Sequence, residues 1–357
     1  MHSERSQALC CSAHSACACR NFFSACTHLS GANIMSVVHA LIMVASFILL
    51  CSNSSHLLQQ LQAGVHSIQG LMCRTERTLC QINGLSEAKV KKMLGLARKH
   101  AAGHHLCPGS FQTGLQVQEM RKSIRKISTG SAHFDEVMGG GIESQSITEF
   151  FGEFRTGKTQ LCHTLCVTSQ LGYDLGGGQG KVLYVDTEGN FRPERIHAIA
   201  ERFSLDPDGC LENIIVCRAM THEQQMEAIT QAAALFSETG PFALMVVDSV
   251  MAHFRNEFTG RGELAERQQK LARHLSEIIR VATEYNIAVV VINQVRFFGS
   301  RSPPVQMNAD LSTTCALCFS GHGRPWGHGH VRAVHQASRG ARSCPRLDHP
   351  GPPQEGP

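Results

Sequence analysis

The chain has 357 residues, 42% of them hydrophobic, which fits a soluble globular protein with one large domain and one or two small ones. Its formal net charge is +4, but residues 296–357 contain seven arginines and three acidic residues and account for all of it. The overall charge therefore gives no support for nucleic-acid binding, and any basic surface must be local.

Residues 1–55 differ in composition from the rest of the chain, and we leave them unassigned. Five of the 16 cysteines fall within the first 26 residues. The cysteines further along occur singly in apolar patterns, as in a protein of a reducing compartment. Residues 34–51 form an apolar run of borderline membrane-spanning length that His39 interrupts. We expect no membrane segment, although a true span is the alternative.

Residues 56–100 are predicted to form a small all-α domain. A tight turn at Gly84 is followed by Ser86 as a helix N-cap and by a helix that runs to about Lys99. This pattern is typical of a helix-hairpin-helix module, in which backbone amides around Gly84 would hold a DNA phosphate without reading sequence. A plain turn of a helical bundle is the alternative that these residues leave open.

Residues 101–127 are predicted to be a linker, because 101–108 consists mainly of small residues and histidines and ends in a proline. Within it, 121–127 alternates basic and apolar residues as an edge strand would. From residue 128 to residue 295, apolar runs alternate with amphipathic patterns. Strands are predicted at 147–151, 182–186, 213–217, 242–248 and 287–294, and helices at 160–170, 193–202, 221–237 and 262–285. Strands that are apolar on both faces predict an α/β fold with a mostly parallel sheet covered on both sides.

A phosphate-binding loop is the clearest motif in the chain. Residues 152–159 have the G-x-x-x-x-G-K-[ST] spacing and join a predicted strand to a predicted helix, where free amides and the helix dipole favour an anion. Lys158 can reach the β- and γ-phosphates of a nucleoside triphosphate, and the Thr159 hydroxyl can ligate Mg²⁺. The flanking strand and helix disfavour a chance match in a glycine-rich loop. The predicted cofactor-binding residues of the loop are Gly152, Glu153, Phe154, Arg155, Thr156, Gly157, Lys158 and Thr159.

Three further polar residues follow predicted strands at the same edge of the sheet. Asp248 ends one apolar run and fits the carboxylate that holds Mg²⁺, usually through water. Glu188 follows another run and is placed to orient an attacking water as general base. Gln294 ends a third run and is placed to sense the γ-phosphate. Each residue alone is a common strand-end cap, but three of them beside a phosphate-binding loop predict an ATPase site.

Residues 251–262 interleave Arg, Phe and Gly and are predicted to form a mobile basic loop at this edge. Such a loop is suited to the backbone of a single strand of nucleic acid. A solvated loop with ordinary surface arginines is the alternative that its composition favours.

Three segments of the chain resemble the eukaryotic RecA-like strand-exchange recombinases. They read GEFRTGKT at 152–159, DTEGNFRPER at 186–195 and GRGELAERQQKLA at 260–272, within a similarity that covers about 56–295. Residues 249–255 and 263–269 look more like the meiosis-specific member than the general mitotic one. The resemblance implies a RecA-type P-loop ATPase core preceded by the helix-hairpin-helix domain.

The resemblance also implies a function in the nucleus. It implies a DNA-dependent ATPase that uses ATP and Mg²⁺, forms helical filaments or rings on single-stranded DNA, and exchanges strands with a homologous duplex in meiotic recombination and double-strand break repair. Recombination mediator proteins are the implied partners, and membranes are not. Lys158, Glu188 and Gln294 would be catalytic, Thr159 and Asp248 would hold the metal, Arg195 would stack on adenine, and Arg255 and Arg261 would bind DNA.

The chain departs from this family in two places. Its subunit-docking segment, which resembles Phe-x-x-Ala in the family, reads Phe111-Gln112-Thr113-Gly114, so a buried methyl is lost. After Val295, no second DNA loop or closing strand is visible, and 296–357 is predicted to be disordered, with an apolar sheet edge left exposed. Cys315 and Cys318, with His322 and His328 beyond them, give half of a zinc-site pattern, which is the weaker interpretation of that stretch.

Residues 344–357 suggest that this tail is read out of frame. Codons for them can be chosen so that the next frame reads Ala-His-Ala-Ser-Thr-Thr-Arg-Val-Pro-Leu-Arg-Lys-Gly, which closely resembles the missing strand of the family. The core 128–295 is therefore predicted to be incomplete. A non-catalytic or defective paralogue that binds ATP and DNA and regulates a recombinase filament is the alternative function.

Overall fold

The computed structural model describes residues 65–101, 111–260, 262–294, 315–320 and 330–334. The predictions for 1–55, for Arg261 and for most of 296–357 lie outside these residues. The apolar run at 34–51 is likewise outside them. Among the helices that are described, none is both long and apolar enough to cross a membrane.

Three helices form the N-terminal part of the described chain: α1 (Ile68–Met72), α2 (Glu76–Cys80) and α3 (Glu87–Ala101). The Ser67 side chain caps α1 by accepting a 2.8 Å hydrogen bond from the Gly70 amide. Gly84 has a φ of +83° in the exposed turn before α3, a conformation that glycine adopts without strain. The helix predicted after Ser86 is present and ends two residues beyond Lys99.

The predicted linker 101–127 contains a helix that the sequence interpretation missed. Helix α4 (Gly114–Arg121) begins with a capping box, in which the Thr113 side chain accepts from the Gln116 amide and the Gln116 side chain accepts from the Thr113 amide. The spacing Thr-x-x-Gln was visible in the sequence and is the signal that predicts this helix. Phe111, just before it, is fully exposed.

The remaining elements form the α/β core. Its strands are β1 (Lys126–Ile127), β2 (Ile142–Glu143), β3 (Ile147–Gly152), β4 (Lys181–Asp186), β5 (Ile214–Arg218), β6 (Phe242–Asp248), β7 (Ala288–Gln294), β8 (Cys315–Ser320) and β9 (His330–Val334). Its helices are α5 (Ala132–Val137), α6 (Lys158–Thr168), α7 (Pro193–Arg202), α8 (Pro207–Glu212), α9 (His222–Glu238), α10 (Ala252–Glu257) and α11 (Leu264–Tyr285), with a 3₁₀ turn at Tyr173–Leu175.

The large sheet has the strand order β5-β4-β6-β7-β3-β8-β9. Strands β5, β4, β6, β7 and β3 are mutually parallel, as predicted, and each lies within one residue of its predicted bounds. The short strands β1 and β2 pair antiparallel in a separate ribbon, so the edge strand predicted at 121–127 is limited to two residues.

The prediction that 296–357 contains no strand is wrong for β8 and β9. Strand β8 pairs in parallel with β3, and β9 pairs antiparallel with β8. We expected an apolar sheet edge to be exposed, but the edge at β3 is paired from Thr148 to Gly152. A sheet edge of unpaired amides and carbonyls favours any apolar segment that reaches it, and the run from Cys315 to Phe319 is such a segment.

The structure does not test the zinc interpretation, because His322 and His328 lie outside the described residues. Cys315 and Cys318 lie within one continuous strand, β8. Within the described ranges, no group of three potential ligands is close enough to hold a metal ion.

Helices cover both faces of the sheet. Along β6, Leu244 and Val246 pack into one hydrophobic cluster with α6 and α7, while Met245 and Val247 pack into the opposite cluster with α9 and α11. This alternation is the period-2 geometry of a strand buried on both faces. The two clusters hold the carboxyl ends of β3, β4, β6 and β7 side by side, and those ends carry the predicted site.

Candidate nucleotide-binding site

The phosphate-binding loop is positioned by a buried strand and a buried helix. Every residue of β3 is buried. Gly157 caps α6 with a φ of +91°, in the left-handed region that glycine enters at little cost. Arg155 also has a positive φ of +65°, which is uncommon for a residue with a side chain. The loop thus curls in front of the N-terminus of α6, where backbone amides favour an anion.

Lys158 lies inside this loop and is only 6% exposed. Its Nζ donates hydrogen bonds to the backbone oxygens of Gly152 at 3.1 Å and Glu153 at 2.6 Å, and lies 3.2 Å from Thr156 Oγ1. A buried ammonium needs such acceptors to offset its desolvation. The lysine is therefore held at the centre of the loop.

Thr159 and Asp248 meet beside the loop. The Thr159 hydroxyl donates a 2.8 Å hydrogen bond to Asp248 Oδ2, and the Tyr184 hydroxyl donates to the same oxygen at 3.0 Å. Burial raises the pKa of Asp248, while these two hydrogen bonds act in the opposite direction. The pair presents two oxygen ligands of the type that Mg²⁺ prefers.

Glu188 is held from two sides. Asn190 Nδ2 donates to Glu188 Oε2 at 3.0 Å, and Gln294 Nε2 lies 3.2 and 3.3 Å from the two carboxylate oxygens. Burial raises the pKa of Glu188, and the nearby charge of Asp248 raises it further. A carboxylate with a raised pKa is a stronger base than an exposed glutamate, which suits it to accept a proton from water.

The turn that carries Glu188 is built by Asp186. Asp186 Oδ1 accepts hydrogen bonds from the amides of Glu188, Gly189 and Asn190, and Oδ2 accepts from the amide of Phe191. Arg218 on β5 pairs with this carboxylate at 3.2 Å. Asp186 therefore shapes the segment between β4 and α7, a role that the sequence interpretation did not assign.

The predicted residues converge on one cavity of about 420 Å³. Its volume falls in the range typical of small-molecule sites. Gly152 and Glu153 do not line it, although their carbonyls hold Lys158. The sequence interpretation missed four lining residues: Gln160, Asn190, Arg192 and Ile292. Those that it predicted are Phe154, Arg155, Thr156, Gly157, Lys158, Thr159, Glu188, Arg195, Asp248 and Gln294.

His163 lies behind the site and was also missed. It is fully buried on α6, stacks on Tyr184, and its Nε2 accepts a hydrogen bond from the Arg192 amide at 3.3 Å. Burial, aided by the nearby Arg195 charge, lowers the pKa of His163 to about 4. A neutral imidazole thus supports the segment that holds Arg192 and Arg195.

Of the predicted DNA-binding residues, Arg255 and Gly84 do not line this cavity, and Arg261 is outside the described residues. Arg255 is on α10, so the mobile loop expected at 251–262 is wrong for Ala252–Glu257. Phe254 is fully buried against α9 and α11, which explains the helix, because an apolar anchor holds the segment on the core. The Arg255 side chain is exposed and donates a 2.8 Å hydrogen bond to Asn293 Oδ1. Gly84 lies in the separate exposed turn before α3.

Comparison with known proteins gives consistent similarities. A family model described as Rad51 matches residues 120–315, which extends past Val295, where the sequence interpretation ended the resemblance. The Meiotic recombination protein DLH1 of Candida albicans is 50% identical over 277 residues, which are 78% of this chain and 79% of that protein. The Meiotic recombination protein DMC1 of Saccharomyces cerevisiae is 46% identical over 287 residues, 80% of each chain. The human Meiotic recombination protein DMC1/LIM15 homolog is 52% identical over 233 residues, 65% of this chain and 67% of that protein.

Proposed function

Because the chain belongs to the Rad51 family of eukaryotic RecA-like recombinases, we propose that it is an ATP-dependent recombinase. It assembles on single-stranded DNA, pairs that DNA with a homologous duplex and exchanges strands in meiotic recombination and double-strand break repair. The observation that carries the proposal is the convergence of Lys158, Thr159, Glu188, Asp248 and Gln294 on one cavity at the carboxyl ends of four strands. This is the position at which α/β sheets bind nucleotides.

The residues of the cavity fit ATP with Mg²⁺. Lys158 would give its hydrogen bonds to phosphate oxygens in place of the loop carbonyls, and Arg195 would pack on the adenine. Thr159 and Asp248, whose oxygens are 2.8 Å apart, would hold the cation. When bound, Mg²⁺ neutralises charge on the β- and γ-phosphates.

Hydrolysis in this site needs a base and a means of orienting it. Glu188 accepts the proton of the water that attacks the terminal phosphorus, as the bond from that phosphorus to the ADP oxygen breaks and ADP and phosphate leave. Asn190 and Gln294 hold the Glu188 carboxylate in place. Hydrolysis then allows release and turnover of the DNA-bound protein.

The proposal extends to partners and location. The protein assembles with itself into a filament or ring through the exposed Phe111 segment, contacts DNA through Arg255, Arg261 and the turn at Gly84, and works with recombination mediator proteins. A protein that acts on chromosomal DNA works in the nucleus. Residues 56–100 serve as the helix-hairpin-helix DNA-binding domain, 101–127 as the connection that carries the docking segment, and 128–295 as the ATPase core.

A second candidate is a non-catalytic paralogue that regulates a recombinase filament. Gly114 favours it, because the docking segment lacks the methyl group that its family supplies. The retained Glu188 and its two amide partners argue against it, since a protein that does not hydrolyse ATP has no need to hold a base in this position.

The experiment that tests the proposal is ATP-dependent assembly of the full chain on a labelled single-stranded oligonucleotide, followed by fluorescence anisotropy. We expect binding that requires ATP and is lost in Lys158→Ala. Lys181→Ala is the matched control, because Lys181 is the first residue of β4 and lies at the amino end of that strand, whereas the site lies at the carboxyl ends. Binding without ATP dependence, or equal loss in both variants, would refute the proposal.

A further inference from the structure

Glu149 is a buried carboxylate for which the ATPase site has no use. It lies on β3, three residues before Gly152, and is only 6% exposed. Burial raises its pKa, while a hydrogen bond from Asn293 and the charge of Arg255 act in the opposite direction. A buried carboxylate is costly without partners, so its contacts are informative.

Asn293 connects Glu149 to Arg255. Its Nδ2 donates a 2.9 Å hydrogen bond to Glu149 Oε1, and its Oδ1 accepts a 2.8 Å hydrogen bond from Arg255 Nη2. One amide side chain thus uses a donor on the buried side and an acceptor on the side of α10. These two contacts together determine which way the Asn293 amide faces.

The bridge lies next to the water-orienting pair. Asn293 immediately precedes Gln294, whose amide contacts both carboxylate oxygens of Glu188. In the parallel pairing of β3 and β7, Asn293 is opposite Phe151, and Gln294 is opposite Gly152 at the start of the phosphate-binding loop. A change at Asn293 therefore acts on the last residues of β7 and on the strand that leads into the loop.

We propose that Asn293 is a positioning residue that couples Arg255 on α10 to Gln294 and Glu188, so that DNA bound at Arg255 sets the rate of ATP hydrolysis. This inference rests on the proposed recombinase function and goes beyond it by naming the coupling contacts. A DNA phosphate competes with Asn293 for the Arg255 guanidinium, because both are hydrogen-bond acceptors. When Arg255 turns to the phosphate, Asn293 loses that hydrogen bond and keeps the one to Glu149. The end of β7 then shifts, and the position of Gln294 changes with it.

Two substitutions of Glu149 separate the coupling from general stability. Glu149→Gln keeps an oxygen that accepts from Asn293 Nδ2, whereas Glu149→Leu has similar size and no acceptor. The experiment measures ATP hydrolysis by the full chain with and without a single-stranded oligonucleotide. We expect Glu149→Leu to lower the DNA stimulation of kcat by about tenfold, the effect of one hydrogen bond involving a charged group, with the KM for ATP unchanged. Glu149→Gln should retain the stimulation.

Full stimulation in Glu149→Leu, or equal loss in both variants, would overturn the inference. If Glu149→Leu does not fold, Asn293→Asp replaces it, because an aspartate accepts from Arg255 and cannot donate to Glu149. That variant should also lose the stimulation, and its retention would overturn the inference.

A second readout separates this inference from the proposed function. Hydrogen exchange of peptide 288–294 is measured with and without the oligonucleotide, while anisotropy reports DNA binding directly. A DNA-dependent change that is present in the parent and absent in Glu149→Leu supports the coupling even if hydrolysis is too slow to measure. DNA binding with no change in this peptide overturns the coupling alone, and no DNA binding by the parent overturns both.

Discussion

Gln294 Nε2 lies 3.2 Å from Oε2 and 3.3 Å from Oε1 of Glu188, so a single amide group contacts both oxygens of the carboxylate. Gln294 ends β7, and Glu188 follows β4, with β6 between the two strands in the sheet. The contact therefore joins two elements that are separated by more than 100 residues of chain. It makes the orientation of the proposed base depend on the end of β7.

Glu188→Gln is expected to lower kcat for ATP hydrolysis by about 10²- to 10⁴-fold, the usual contribution of a general base. Nucleotide binding should be retained, because Lys158, Thr159 and Asp248 are unchanged. Steady-state hydrolysis and equilibrium binding of a labelled nucleotide measure the two quantities. Glu194→Gln is the matched control, since Glu194 is exposed on α7. Hydrolysis by Glu188→Gln at the parent rate would exclude Glu188 as the base.

The main strands and the members of the site could be predicted from the sequence because both depend on local pattern. Strand β6 is apolar on both faces and ends in Asp248. These seven residues alone predict a buried strand, its first and last residues, and the position of Asp248 at its carboxyl end. The contact between Asn190 and Glu188 could not be predicted in this way. It depends on a turn in which Asp186 accepts from four backbone amides, and no spacing rule specifies that geometry.

Two errors have different physical causes. Helix α4 was predictable, because the capping box of Thr113 and Gln116 is a local signal. The pairing of β8 with β3 was not, because it joins Cys315–Ser320 to residues that precede it by more than 160 positions. The glycines, prolines and histidines around β8 are typical of a segment without regular structure, so its short apolar run did not predict a strand.

Gly70→Ala is expected to destabilise the packing of α1 against α11. A Cβ at Gly70 would lie 2.6 and 2.8 Å from the carboxylate oxygens of Glu284. Glu284 accepts a hydrogen bond from Ser67 and pairs with Arg280 at 2.8 Å, so it has little room to move. We expect a loss of about 1–2 kcal/mol in the free energy of unfolding, measured by urea denaturation.

The control for this prediction is Gly95→Ala. A Cβ at Gly95, in the middle of α3, would meet no atom within 4 Å. Alanine is favoured over glycine in a helix by about 1 kcal/mol, so this variant should be more stable than the parent. Destabilisation of equal size in both variants would show that the Glu284 contact is not the cause.

His274→Gln is expected to reduce the pH dependence of stability between pH 7 and pH 5. His274 is buried, and burial lowers its pKa to about 4, against about 6.5 in the unfolded chain. Between these values the unfolded chain binds more protons, so stability falls as the pH falls, by about 2 kcal/mol at pH 5. Thermal unfolding at the two pH values measures the effect.

Glutamine at position 274 can keep a polar contact with Gln225, whose Nε2 lies 3.1 Å from His274 Nε2 in the parent. His133→Gln, at an exposed position, is the control. If the melting temperatures at pH 7 and pH 5 differ as much in His274→Gln as in the parent, groups other than His274 cause the pH dependence of stability.

The origin of the tail is tested at the level of the transcript. The alternative frame over residues 344–357 predicts that the message is displaced by one nucleotide after a retained intron or a misplaced splice. Sequencing of the transcript across the codons for 290–357 should reveal that junction. A clean in-frame junction that encodes these residues as they stand would contradict the displaced frame, and β8 and β9 would then be the chain's own closing strands.

Gly114→Ala is expected to strengthen assembly on single-stranded DNA. Gly114 is the first residue of α4, and a Cβ there would meet no atom within 4 Å, so the folded subunit accepts alanine. In the proposed docking segment the added methyl would be buried in the neighbouring subunit, and a buried methyl contributes roughly 1 kcal/mol to each contact. About fivefold less protein should then be needed for half-saturation.

Anisotropy measures this concentration, with Gly95→Ala as the matched control and Phe111→Ala as the opposite change. Because Phe111 is fully exposed in the single chain, its loss should weaken assembly without lowering the melting temperature. If Gly114→Ala and Gly95→Ala shifted half-saturation equally, helix propensity would explain the gain, and residues 111–114 would have no role in docking.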